Sequence, residues 1–306
     1  MPRMRISRRR GLRRVALISF ATCIASAAVV AAALLPVLSG PAWSQAAGGS
    51  AQAGDAGASD SEAALAKEEA ELAKETQNPL ANLISVPFQN NFDFLTGPNH
   101  PLRYTLNFQP VLPVSISEDW NLITRIITPV IYQGARPGGQ ELLGLGDMTP
   151  SLFFSPKQPY NGIILGVGPV FLLPTATEDA LGSQKFGLGP SIVALRQDSG
   201  WTYGALISQV WSVAGASHRQ NVNATFLQPF LSYTFKTYTT VGVSSETTLD
   251  WTRHQWTAPV LVNLSQILLI GGQPLSIGLS GKYFVDRPTG GPDFGLRFTV
   301  TLLFPK

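Results

Sequence analysis

Residues 293–304, DFGLRFTVTLLF, separate into two rows when read two at a time. Phe294, Leu296, Phe298, Val300, Leu302 and Phe304 make one row, and Gly295, Arg297, Thr299 and Thr301 make the other. A β-strand points successive side chains to opposite faces, so this stretch reads as a strand with one apolar and one polar face. The same period runs upstream. Leu275, Ile277, Leu279, Tyr283 and Val285 oppose Ser276, Ser280 and Lys282, and Val241, Val243, Leu249 and Trp251 oppose Ser244, Glu246, Thr248 and Asp250. Leu102, Tyr104, Leu106, Phe108, Leu112, Val114 and Ile116 oppose Arg103, Thr105, Asn107, Gln109 and Ser115. In the earliest such segment Ile84, Val86, Phe88, Phe92 and Phe94 oppose Ser85, Gln89, Asn91 and Asp93. From Leu83 onward there are about twelve segments, each of the roughly ten residues a tilted strand needs to cross a bilayer. The segment from Trp201 to Val213 reads with either face inward.

The connections alternate in length. Short turns fall at residues 118–120, 157–160, 197–200, 236–238 and 271–274. Longer polar or Gly/Pro-rich loops fall between them, at residues 96–101, 134–141, 175–185, 215–221, 252–255 and 286–292. Bacterial membrane barrels join strands by tight turns at the periplasmic end and by longer loops outside, which places both barrel ends of this chain in the periplasm. Trp120, Tyr132, Tyr160, Trp201, Trp251, Trp256 and Tyr283 fall near predicted strand ends, where interfacial aromatic girdles belong.

A soluble sandwich or ligand-binding barrel also alternates. Composition separates the two. Charged residues are 13% of the chain, about half of the roughly 25% usual for soluble domains. A soluble sheet would carry Lys and Glu on its polar face, whereas these faces carry mostly Gly, Ser, Thr, Asn and Gln. The expected fold is therefore all-β, a transmembrane antiparallel up-and-down barrel occupying residues 79–306 and preceded by a short periplasmic helix.

The net charge of +3 does not indicate a nucleic-acid partner, because the basic residues concentrate in the first fourteen positions, MPRMRISRRRGLRR. An apolar run from Val15 to about Leu38 follows, then Gly40, Pro41 and the small-residue site Ala42-Trp43-Ser44. This is the layout of a secretory signal peptide over residues 1–44. Its rival is an uncleaved membrane anchor. Cleavage removes Cys23, the one cysteine, and with it thiol chemistry and disulfides. Residues 45–60 read as a flexible linker. Residues 61–78 start at Ser61-Glu62, continue in strong helix formers and stop at Asn78-Pro79, a helix of the periplasm. So polar a helix is expected to lie in solvent, ahead of insertion into the pore mouth or an oligomer contact.

Residues 293–300, DFGLRFTV, resemble the polar-x-Gly-x-x-hydrophobic-x-hydrophobic signal read by the barrel-assembly machinery. The chain departs from the pattern by continuing past Phe304 to Pro305-Lys306. Several further stretches, NPLANLISVPFQNNFDF (78–94), GLGDMTPSLFFSP (144–156), GVGPVFLLPTAT (166–177), GPSIVAL (189–195) and QPFLSYTF (228–235), resemble the outer-membrane transporter family named for the MetA pathway of phenol degradation, some of whose members are labelled neuromedin U. The resemblance implies the same barrel and uptake of small, often aromatic compounds. It brings no catalytic residues.

The ionisable residues on predicted lumen faces are Asp93, Arg103, Arg125, Asp147, Lys185, Glu246, Asp250, Lys282 and Arg297. Opposite charges on facing strands can pair across a narrow barrel, holding its shape or lining a channel. Glu246 with Lys282 or Arg297 is the pairing of first interest. An enzymatic reading has only His254 with Asp250 and Asp286 near the rim, while His100 and His218 lie in other loops. No catalytic motif, phosphate loop or metal-ligand spacing accompanies them, so no enzyme, metal or cofactor is expected. GVGP and GLGP fall within strands, where glycine relieves crowding. The expected function is an outer-membrane channel passing small molecules, aromatic or hydrophobic compounds among them, by passive diffusion. The alternatives are a structural or adhesin-like barrel and an outer-membrane hydrolase. Expected partners are outer-membrane lipid, the assembly machinery and small solutes, with oligomeric state open.

Overall fold

The alternation closes into a cylinder. In a computed structural model, which describes residue 67 and residues 69–96, 101–135 and 139–305, the strands are β1 (Ile84–Leu95), β2 (Leu102–Phe108), β3 (Val111–Ser115), β4 (Trp120–Gln133), β5 (Leu142–Leu145), β6 (Thr149–Pro156), β7 (Ile163–Leu172) and β8 (Lys185–Asp198). They continue as β9 (Trp201–Gly215), β10 (Asn223–Thr234), β11 (Thr239–Ser245), β12 (Thr247–Asp250), β13 (Gln255–Ile270), β14 (Gln273–Asp286) and β15 (Pro292–Phe304). All pairings are antiparallel, and β1 pairs with β15, so the sheet closes. Three staves are each split in two: β2 with β3 between β1 and β4, β5 with β6 against β4, and β11 with β12 between β10 and β13. The fifteen segments are therefore a closed barrel of 12 staves. Closure matters because a lipid-exposed sheet edge would leave backbone N–H and C=O groups without water or partners.

The breaks have local causes. Pro110, which has no N–H to give to a ladder, separates β2 from β3. The β11–β12 break falls opposite a register shift at Ala258/Pro259 in β13, where Ser245 Oγ donates to the Pro259 carbonyl at 2.8 Å.

Val262, Leu279 and Phe294 on the outer face are 60%, 55% and 54% exposed, and they belong to a continuous apolar surface that a water-soluble protein would not present. Trp120, Tyr160, Trp201, Trp251, Trp256 and Tyr283 are exposed at its two margins. The strand that read either way is settled by its neighbours: Trp201, Tyr203, Ile207, Trp211 and Val213 face out, while Thr202, Leu206 and Ser208 are buried inside. Its two rows are both largely apolar or small, so only the registers with β8 and β10 could choose between them.

The two Gly-Pro motifs lie side by side, with Pro169 opposite Pro190. There the β6–β7 ladder retains only Ser151↔Val170 and Phe154↔Val167, and the β8–β9 ladder skips Gly189 and Pro190. A Cβ on Gly168 would strike the Leu152 carbonyl, and one on Gly189 the Gln209 carbonyl. Gly189→Ala must force the strands apart and is expected to destabilise the barrel by about 1–3 kcal/mol. Urea unfolding in lipid vesicles reads this, and an unchanged midpoint would show that the strands part freely.

The signal segment 1–44, the linker 45–60 and the start of the 61–78 helix lie outside the described residues, as does His100. The described helix, residues 69–76, corrects the expectation that it lies in solvent. Leu72 and Ala73 are 3% and 1% exposed and pack with Ala81, Leu83, Ile267 and Leu303. Ile267 and Leu303 point into the barrel at the end where β1 begins and β15 finishes. The helix thus sits against the inner wall of the terminal mouth. Gln197 Nε2 donates to the Lys74 carbonyl at 2.8 Å, tying it to the turn end of β8. Thr76 Oγ1 donates to the Leu72 carbonyl at 2.6 Å, and Asn78 Oδ1 accepts from the Leu80 N–H at 2.9 Å, turning the chain into β1.

Candidate functional site

Among the described residues the lumen holds an inner and an outer cavity. The inner cavity, about 300 Å³, is lined by residues 75–79 and 81 of the N-terminal segment together with Ser85, Gln89, Arg125, Ser232, Thr240 and Ser265 of the wall. The outer cavity, about 820 Å³, is lined by Arg103, Asp147, Asp250, His218, Arg219 and Arg253 among others. Beside the inner cavity one side of the lumen is apolar: Leu80 of the N-terminal segment packs with Ile123, Phe153, Val193, Leu195 and Leu206. Ile123 and Val193 are wholly buried there, although both point inward. A wide water-filled bore would have left them wet.

The opposite side is ionic. Arg297 Nη1 and Nη2 donate to the two Glu246 carboxylate oxygens at 2.7 and 2.6 Å, a two-pronged pair that reaches from the β11–β12 break past β13 and β14. Lys282 Nζ lies 2.6 Å from Asp93 Oδ1, an oxygen otherwise without a donor. Asn91 Oδ1 joins the pairs, accepting from Arg297 Nε at 2.6 Å and from Lys282 Nζ at 3.1 Å. The Asn91 amide nitrogen in turn donates to the Gln89 and Thr105 carbonyls, each at 3.1 Å, which fixes its orientation. Arg125 Nη2 donates to Gln109 Oε1 at 3.1 Å, and Gln109 Nε2 to Gln89 Oε1 at 2.8 Å. Lys282, Arg297 and Asp93 project from neighbouring staves β14, β15 and β1, so the strand period alone aims them at one point.

Five of the nine predicted lumen residues, Asp93, Arg125, Glu246, Lys282 and Arg297, thus converge at mid-barrel. The other four do not join them. Arg103, Asp147 and Asp250 line the outer cavity, and Lys185 is buried at the start of β8. Asp147 Oδ2 accepts from the Ser183 N–H and Oγ, both at 2.6 Å, and Oδ1 from the Ala176 N–H at 3.2 Å, so this carboxylate folds the β7–β8 loop inward. Arg219 donates to the Asp179 carbonyl at 2.9 Å and the Gly182 carbonyl at 2.5 Å, closing the same loop from the other side. Asp250 caps its turn, accepting from the N–H groups of Thr252 and Arg253 and pairing with the Arg253 guanidinium at 3.1 Å. His218 lines the outer cavity and His254 lies in the β12–β13 turn with a φ of 52°.

Asn91, Gln109 and Leu80 are uncharged site residues that a search for charges passes over, and Arg219 lies in a loop, off the strand faces. The polar faces of the first two strands already placed Asn91 and Gln109 inside, but neutral amides carry no mark of a network. On the helix, burial reinforced by neighbouring Glu71 holds the Glu75 carboxyl above the usual range, while Lys74 pulls it down.

No family model and no curated protein sequence matches the chain. Among solved structures, the barrel is similar to an outer membrane channel from Pseudomonas putida F1, with 13% identity, 72% of this chain and 94% of that chain covered and a TM-score of 0.56. It is more loosely similar to outer membrane phospholipase A from Escherichia coli, with 8% identity, coverages of 74% and 90% and a TM-score of 0.42. For OprB from Pseudomonas putida the identity is 10%, the coverages 85% and 100% and the TM-score 0.35. The likeness to the Pseudomonas putida F1 channel establishes the fold, an outer-membrane type β-barrel.

Proposed function

We propose that the protein is an outer-membrane channel for small solutes, narrowed from within by its own N-terminal segment. The observation that carries this is the lumen itself: a closed barrel with a lipid-compatible exterior encloses two cavities that meet at a band of paired charges and a greasy wall. The terminal mouth faces the periplasm, since barrels of this type keep short turns and both ends there. Export by the 1–44 signal, insertion by the barrel-assembly machinery and residence in outer-membrane lipid follow from that reading. Similarity of the fold to a channel supports passage of solutes, and the resemblance of residues 78–94 and 144–156 to the phenol-pathway transporters supports small aromatic compounds among them.

Two experiments test this. Liposome swelling with phenolic, aliphatic and sugar solutes should show permeation that falls with solute size, and no permeation of any solute would favour a closed structural barrel. In planar bilayers, Glu246→Gln removes a negative charge beside Arg297 and Arg125 and should shift the reversal potential in a salt gradient toward anion preference. If neither conductance nor selectivity moves, the ion-pair band is not the filter.

A further inference from the structure

The mid-barrel cluster contains three cations and two carboxylates. Asp93 is taken by Lys282 at 2.6 Å and Glu246 by Arg297 at 2.6 Å. Arg125 is left over: among the described residues no carboxylate lies within ion-pair distance, and its one hydrogen-bond partner is the neutral Gln109 carboxamide at 3.1 Å. Its side chain lines the inner cavity, whose wall includes Val111, Leu206 and Phe230. A guanidinium presents paired donors matched to the two oxygens of a carboxylate. Beside an apolar wall in a cavity of about 300 Å³, at the small end of the usual range for ligand pockets, this is a site for one charge and one greasy body.

Resting on the channel reading, the geometry points to a binding site in the inner cavity for small organic monoanions, with a carboxylate on Arg125 and an apolar body against Val111, Leu206 and Phe230. A neutral phenol offers the guanidinium one acceptor oxygen, without the charge or the second oxygen of a carboxylate. Among the residues lining this cavity Glu75 is the one carboxylate, and it sits on the N-terminal helix. It opposes an anion electrostatically and so sets the affinity from the periplasmic side.

The test uses the full mature chain refolded in detergent and isothermal titration with benzoate, with benzyl alcohol (same ring, no charge) and with acetate (same charge, no ring). Benzoate should bind at least about ten-fold more tightly than either, the margin of one charge-assisted bidentate contact. Arg125→Met should abolish the preference of benzoate over benzyl alcohol, Arg125→Lys should retain part of it, and Glu75→Gln should increase benzoate affinity. Equal binding of benzoate and benzyl alcohol by the unaltered protein overturns the inference whatever the variants do, so it remains decidable even if Arg125→Met fails to fold. Potassium chloride conductance of the same preparation separates the two readings. Current without benzoate preference sinks the anion site and leaves the channel standing. Benzoate preference without current or solute flux keeps the site and overturns the channel.

Discussion

Deleting residues 59–79 should raise single-channel conductance several-fold while the barrel still shows heat-modifiable mobility. The helix over residues 69–76 and the turn after it line the inner cavity, and Leu72 and Ala73 seal against Ile267 and Leu303 of the wall. The barrel does not need this segment to close, because every stave pairs with two neighbours without it. Among the described residues, the segment is held by burial of a few apolar side chains and by the side-chain hydrogen bond from Gln197 to Lys74. Full burial of one leucine is worth about 1.5–3 kcal/mol, so docking rests on a few such contacts and point changes such as Leu72→Asp should open the mouth part of the way. Unchanged conductance after the deletion would mean that the resistance lies wholly in the ion-pair band and apolar zone further in.

The second large effect is expected at the Glu246–Arg297 pair. Arg297 is 9% and Glu246 25% exposed at the side chain, and the two make two short hydrogen bonds. Removing one partner leaves the other charge desolvated, a loss of about 3–5 kcal/mol for fully buried pairs. Because Glu246 keeps some contact with lumen water, Arg297→Met should fall at the lower end of that range. The double variant Glu246→Gln with Arg297→Met should recover much of the loss, since neither member of the pair is left as a charge without its partner. Urea unfolding in vesicles gives the cycle. Additive losses would show that the two groups act independently, against the geometry.

The difference between these two sites explains what could be read in one dimension. Strand periodicity is local: a residue's parity along residues 293–304 assigns Arg297 to the lumen and Phe298 to lipid, because the pleat repeats every two residues wherever the strand lies. The count of about twelve alternating segments is equally local, and it agrees with the 12 antiparallel staves. Parity did not decide β9, where both rows are apolar or small and register with β8 and β10 had to choose.

Convergence is not local. Glu246 and Arg297 are 51 positions apart, and nothing in either strand says that a gap in β11–β12 would let the glutamate reach past two staves while Lys282 turned to Asp93 instead. The helix shows the same limit, since Leu72 and Ala73 make too thin an apolar stripe to announce a partner, and their burial required a mouth lined by Ile267 and Leu303. The sequence by itself determined an all-β barrel of alternating strands, because the strand period depends on neighbours one or two positions away. Only the tertiary structure decided which charges pair, which arginine is left over and that the N-terminal segment enters the lumen, because those depend on how a closed cylinder brings distant positions within a few ångströms.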